Sequence, residues 1–315
     1  MHVKKRIYLF LTLILVSSVF FISCSSENKN ESKNKKEENA NIKEKNIEAS
    51  KPEMEEKEVE VPEASKQITE FPWDDDTEVK LAQEQNNTDV LIAGFCTVLE
   101  KSTPEERNNI NLAAVSVAGT TIDAGQVFSQ NAIAGPYTED KGYEEGSGYI
   151  GNKIVKSMGG GVCKVATTLY NTAVLSDLEI VERYNHSMPV PYVPYGQDAA
   201  VAFGSKDLKF KNNSGDPVLI WAKLIDNRLY MAFYGKEKGP EVKWEHETVS
   251  KTESSTEYKI NPELKEGEEK TVVEGMNGQV VESHVIVKDK DGKEVTKDRG
   301  KSSYLPMLTI IEKSK

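Results

Sequence analysis

The sequence predicts an α+β protein: an antiparallel sheet with one main helix, followed by a small all-β module. Three observations carry this. In "GGGVCKVATTLYNTAV" (residues 159–174), Val162, Val165, Ala166, Leu169, Tyr170 and Ala173 recur at helical spacing and form a core-facing stripe. "DLKFKNNSGDPVLIWAKLIDNRLYMAFYG" (207–235) reads as strand, Asn-Asn-Ser-Gly turn, strand, Asp-Asn turn and strand, the pattern of an antiparallel meander. Beyond Gly239 come short alternating strands, turn pairs at Asn277-Gly278 and Asp291-Gly292, and few large apolar residues. That suits a flat β module at 240–315 with both faces largely wet.

From the beginning of the chain, Lys4, Lys5 and Arg6 precede an apolar run at 7–22, closed by Ser23-Cys24. This resembles a bacterial lipoprotein signal over residues 1–24, with Cys24 as the lipidation site, although Phe21 stands where such signals usually have Leu. An uncleaved membrane anchor is the alternative, and both place the rest of the chain outside the membrane. Residues 25–86 are expected to form a charged tether, because the Glu-, Lys- and Asn-rich stretch to about Thr69 cannot bury enough surface to offset its ordering entropy.

A domain is expected at 87–239. "VLIAGFCTVL" (90–99) is an apolar, β-rich run ended by the charged "EKSTPEERNN". Residues 112–117 suit a helix or a strand, Asp123-Ala124-Gly125 a turn, Phe128 the core, and Gly151-Asn152 a hairpin tip. The chain carries 51 Asp+Glu against 40 Lys+Arg, a formal charge of −11, which argues against a nucleic-acid partner.

Chemistry concentrates at Cys163. With Gly159, Gly160 and Gly161 free to take positive φ, the helix should start near Val162, which puts Cys163 in its first turn. Unpaired N–H groups and the positive end of the helix dipole gather there and stabilise a thiolate. Lys164 adds a nearby positive charge. The amides around Gly160, Gly161 and Val162 are candidate donors to an oxyanion. The candidate base is His186, 23 residues onward, with Asp198, Arg183 and Tyr192 as candidates to orient it. His246 and His284 fall in the C-terminal module, away from the glycine turn. Alternatives are an ordinary buried cysteine and a Cys96–Cys163 disulfide. No second Cys or His stands at metal-ligand spacing, so neither a metal nor an organic cofactor is expected.

Residues of about 90–224 resemble the VanW domain family. The resemblance is carried by "GQVFSQNAIAGPYTEDKGY", by "GGGVCKVATTLYNTAVLSDLEIVERYNHSMPVPYVPYGQDAAVAF" and by "DLKFKNNSGDPVLIWA". Cys163, His186 and Asp198 match the family pattern; Lys164 stands where glutamine is typical, and Gln197 where arginine is frequent. From about Tyr258 onward, "NPELKEGEEKTVVEGMNGQVVESHVIVKDKDGKEVT" resembles the G-five domain. The first resemblance implies an L,D-transpeptidase that cross-links peptidoglycan stem peptides through a cysteine. The second implies cell-wall glycan binding or an extracellular spacer. Other readings compatible with the same residues are a non-catalytic peptidoglycan-binding lipoprotein with a structural cysteine, or a cell-wall cysteine peptidase or amidase.

Overall fold

A computed structural model describes residues 63–150 and 153–315, all within the compact unit that spans residues 56–315. The expected signal, Cys24 and most of the expected tether lie outside the described residues. The tether's expected end at residue 86 is corrected. Strand β1 (Lys66–Gln67) already pairs antiparallel with β2 (Val90–Val98), and α1 (Thr77–Asn86) lies between them. Two causes outweigh the segment's charge. Phe71 and Trp73 stack at 4.8 Å and are each 1% exposed, and the Asp76 side chain caps α1 by accepting from the Glu78 N–H.

The run after β2 also departs from expectation. The charged "EKSTPEERNN" that ends the apolar run also begins a helix, α2 (Pro104–Val117). Thr103 Oγ1 accepts from the Glu106 N–H and Pro104 fills the first helical position, so the segment is a helix start. The domain therefore has two helices of 14 residues, where one main helix was expected. Next come β3 (Thr121–Ile122), β4 (Val127–Ser129) and the short α3 (Gln130–Ala134). β5 (Glu145–Ile150) and β6 (Lys153–Met158) pair from Glu145↔Met158 to Ile150↔Lys153; the tip, 151–152, lies outside the described residues. Helix α4 (Val162–Leu175) follows as its stripe predicts, with Val165, Ala166, Leu169 and Ala173 buried.

Strands β7 (Glu179–Glu182), β8 (Lys209–Lys211), β9 (Val218–Ile225) and β10 (Arg228–Gly235) complete the domain. The Asp-Asn hairpin is present: Ile225 pairs with Arg228, and Asp226 has φ 51°, as a tight turn of this kind requires. The expected hairpin around Asn212 is corrected. β8 pairs with β4 and β7, whereas β9 pairs with β10 and β3. Asn212 makes the switch by donating through Nδ2 to the carbonyls of Ile122 and Asp216.

The principal sheet is antiparallel, in order β1-β2-β10-β9-β3. Because side chains alternate along β2, Phe95 and Thr97 face α2 and α4, while Cys96 faces Phe71, Trp73, Leu219 and Tyr230. Helix α4 thus lies across one face, with Thr168 Oγ1 2.8 Å from Thr97 Oγ1.

Strands β11 (Glu241–Thr252), β12 (Thr256–Ile260), β13 (Glu269–Val273), β14 (Gly278–Lys288), β15 (Glu294–Tyr304) and β16 (Thr309–Lys313) form the C-terminal module. They build two three-stranded sheets, β11-β14-β15 and β12-β16-β13. The module is all-β, but the expectation that both faces are wet fails for the first sheet. Val242, Val285 and Val287 join the main core, and Val281, Ser283, Ser302 and Tyr304 are also buried. Among the described residues, no helix is long and apolar enough to cross a membrane.

Candidate active site

The glycine turn comes first, because it aims α4. Gly159 (φ 72°) and Gly161 (φ 109°) occupy the left-handed region that favours glycine. Gly160 is held differently: a Cβ there would lie 2.2 Å from the carbonyl carbon of Gly146 on β5. The close approach that the glycines permit is to β5. Asn109 of α2 locks the arrangement, donating through Nδ2 to the carbonyls of Gly160 and Glu144 and accepting from the Glu144 N–H.

Two sequence expectations change here. The N–H of Gly160 donates to the Ser157 carbonyl and that of Val162 to the Gly159 carbonyl, so two of the three candidate oxyanion donors are engaged in the turn. The N–H groups of Gly161 and Cys163 make no hydrogen bond to a described residue and are the available donors at this helix end. The Lys164 charge is also spent. Its Nζ lies 2.6 Å from Glu106 Oε2 and donates to Ser102 Oγ, and both members of the ion pair are largely buried.

Cys163, in the first turn of α4, is partly exposed. Its Sγ accepts from the Val201 N–H at 3.4 Å and donates to the Val201 carbonyl at 3.4 Å, and His186 stands beside it. His186 Nδ1 lies 2.6 Å from Asp198 Oδ2, which leaves Nε2 for the thiol. Cys163, His186 and Asp198 therefore meet, although they come from a helix and from the irregular segment after β7. Arg183 acts on the other carboxylate oxygen: its Nη2 donates to Asp198 Oδ1 at 2.9 Å and its Nε to the Asp198 carbonyl. Tyr192, the remaining candidate orienter, lies near the sulfur without a hydrogen bond to His186 among the described residues.

The electrostatics favour a charged pair. Burial opposes the Cys163 thiolate, but the hydrogen bond and charge of His186, with the Val201 amide, outweigh it and lower the thiol below its ordinary value. Burial likewise opposes the His186 imidazolium, yet hydrogen bonds to Asp198 and Cys163 push it up to about 9. Asp198 is almost completely buried and still held below the usual carboxylate range by His186, Arg183 and Tyr304. The constellation has the residue types of a nucleophile–base–orienter relay, with the thiol lowered and the imidazole raised by their neighbours.

Several neighbours were missed from sequence. Tyr149 of β5 meets the His186 ring edge-on at 5.8 Å. Tyr304 of β15 donates to Asp198 Oδ1. His246, expected far away, accepts at Nε2 from Gln197 Nε2 at 2.9 Å, one residue from Asp198, and stacks on Trp244 at 5.4 Å. No local motif signals these contacts, since they arise from strands far along the chain. The disulfide alternative fails: Cys96 and Cys163 are both free and lie on opposite sides of the principal sheet. His284 pairs with Glu245 at 3.0 Å and takes no part.

The chain is similar to known proteins over part of its length. A protein of Bacillus subtilis (strain 168) with the name Uncharacterized protein YoaR is 33% identical over 143 residues, covering 45% of this chain and 47% of that protein. The Vancomycin B-type resistance protein VanW of Enterococcus faecalis (strain ATCC 700802 / V583) is 29% identical over 126 residues, covering 38% of this chain and 46% of its own. The chain thus spans about half the length of the curated relatives it matches. A solved structure of the IgA1 protease G5 domain aligns with 25% of this chain and 95% of its own, at 30% identity and a TM-score of 0.16. The family described as VanW like protein matches residues 105–234, which include Cys163, His186 and Asp198.

Proposed function

We propose that this is a cell-wall protein, exported and lipid-anchored through Cys24, whose VanW domain is a cysteine-dependent L,D-transpeptidase acting on peptidoglycan stem peptides. The observation that carries the reading is His186, whose Nδ1 is held 2.6 Å from Asp198 Oδ2 while its ring stands beside Cys163. The Cys163 thiolate attacks the carbonyl of the third residue in a donor tetrapeptide, and the carbonyl electrons move to oxygen. The Gly161 and Cys163 N–H groups are the candidate donors to that oxyanion. As the intermediate collapses, the bond to the terminal D-Ala breaks and the His186 imidazolium gives its proton to the departing amine. His186, now neutral, takes a proton from the acceptor amine, which attacks the thioester. An amide forms as a 3-3 cross-link, and the thiolate and imidazolium are restored. Water in place of the amine makes the same site a carboxypeptidase.

The test incubates the full chain with disaccharide-tetrapeptides, beside Cys163→Ala. The expected result is D-Ala release, an acyl-enzyme mass on Cys163 and a cross-linked dimer, all lost in Cys163→Ala. If the unsubstituted chain gives none of the three, the enzymatic reading is wrong and a wall-binding role takes its place.

A further inference from the structure

The C-terminal module is expected, from its resemblance, to bind the wall or to act as a spacer. Its contacts with the VanW domain point to a different part in the chemistry. The loop that carries His186 is tied to the end of β15 on both sides of the histidine. Asn185 Nδ2 donates to the Ser303 carbonyl at 2.8 Å, and the Leu305 N–H donates to the Ser187 carbonyl at 2.8 Å. The carboxylate that holds the imidazole is tied to the same strand. The Tyr304 hydroxyl donates to Asp198 Oδ1 and accepts from the Gly196 N–H at 2.8 Å. Ser302 Oγ accepts from Arg183 Nη1 at 2.7 Å, while Nη2 of the same guanidinium donates to Asp198 Oδ1 at 2.9 Å. Ser302 and Tyr304 are buried at 1% and 4% exposure, so bulk water does not compete for these bonds.

Among the described residues, Tyr304 is the one hydroxyl that donates to this carboxylate. Asp198 Oδ2 accepts from the backbone and Nδ1 of His186, and Oδ1 accepts from Arg183 and Tyr304. Taking away the tyrosine hydroxyl leaves Oδ1 on the arginine alone and frees the Gly196 amide two residues away. We propose that Tyr304 of the C-terminal module is a positioning residue of the Cys163 site, fixing Asp198 and through it His186, with Ser302 assisting through Arg183. The module then completes the site that the VanW domain begins. This inference rests on the reading of Cys163 as an activated nucleophile.

The experiment reads the thiol itself. Alkylation of Cys163 by iodoacetamide is followed by mass spectrometry of its peptide across pH, in the full chain and in Tyr304→Phe, Ser302→Ala and Tyr195→Phe. Tyr195 packs edge-on against Tyr304 at 5.3 Å and donates to the Asn277 carbonyl, so it shares the interface without touching Asp198. In Tyr304→Phe the acid limb of the alkylation profile should move up by about half to one pH unit, a loss of roughly three- to tenfold in rate at any pH on that limb. Ser302→Ala should move it in the same direction by less, and Tyr195→Phe should leave it in place. An unmoved or downward-shifted limb in folded Tyr304→Phe overturns the inference, as does an equal shift in Tyr195→Phe. Where Tyr304→Phe does not fold, Ser302→Ala decides, and an unmoved limb there overturns it. If the unsubstituted Cys163 titrates as an ordinary thiol, the activated-nucleophile reading fails and this inference falls with it. A lowered thiol that Tyr304→Phe leaves unchanged removes the inference alone.

Discussion

Cys96 and Cys163 lie on the two sides of one sheet, and their chemistry runs in opposite directions. Cys96 points into a closed aromatic layer of Phe71, Trp73, Tyr230 and Tyr234, and burial pushes its thiol up to about 12. Cys163 is also crowded, yet its thiol is lowered, because His186 and the Val201 N–H stand against the sulfur. Desolvation alone makes a cysteine inert. Desolvation with an imidazole and an amide beside the sulfur lowers the thiol instead. The aromatic side spends its polar groups on packing, as in the Trp73 Nε1 bond to the Tyr234 hydroxyl, whereas on the Cys163 side Asp198 holds the His186 ring.

The largest expected effect comes from disabling the group that separates the two sides. Asp198→Asn keeps the shape of the carboxylate but removes the charge that supports the imidazolium. Transfer from a tetrapeptide donor should fall by about 10²–10⁴-fold. The Cys163 thiol should rise toward its ordinary value, while Cys96 is unaffected. Steady-state D-Ala release and site-resolved alkylation measure both; transfer that drops less than about tenfold would show that His186 works without its orienter.

A pH series sharpens the contrast next. The His186 pKa is raised from 6.5 to about 9, so the imidazolium is present at neutral pH and is lost as pH rises through about 9. Transfer needs that proton for the leaving amine and should decline above pH 9. Alkylation needs only the thiolate, which persists above the lowered Cys163 pKa, and should not decline there. Cys96 should remain unalkylated throughout this range, because its thiol stays protonated to about 12. A common decline of transfer and alkylation would instead indicate local unfolding.

The buried pair Glu106–Lys164 supplies a third, structural contrast. Glu106→Gln leaves the Lys164 ammonium largely buried without its counter-ion and should cost about 3 kcal/mol of stability, measured by denaturant unfolding. A loss below about 1 kcal/mol would mean that the lysine reaches solvent when released.

The sequence made the α4 half of this site readable, because a 3.6-residue apolar period starting directly after three glycines fixes both the buried face and the first turn. Cys163, His186 and Asp198 were legible as residue types with suitable chemistry. The donors were not: which amides of the glycine turn stay free depends on hydrogen bonds to Ser157 and Gly159 that composition does not encode. Helix α2 was readable in principle from Thr103-Pro104-Glu105-Glu106, a capping pattern obscured by its charge. In the same way, Asp76 ahead of α1 signalled a helix within a segment that charge alone assigned to the tether. Tyr304 and Ser302 could not be read at all. Their role depends on how β15 docks beside residues 185–187, a contact between segments more than 100 residues apart.

The smallest expected effect is on the aromatic side. Cys96→Ala removes one buried sulfur from the layer behind β2, leaving a small void between Tyr230 and Phe71 that the packed rings fill only in part. It should cost about 1–2 kcal/mol of stability. It should leave the Cys163 alkylation profile unchanged, because β2 presents Phe95 and Thr97, and not Cys96, to α4. A shifted profile in Cys96→Ala would mean that the sheet transmits packing changes to the nucleophile and that its two sides are not independent.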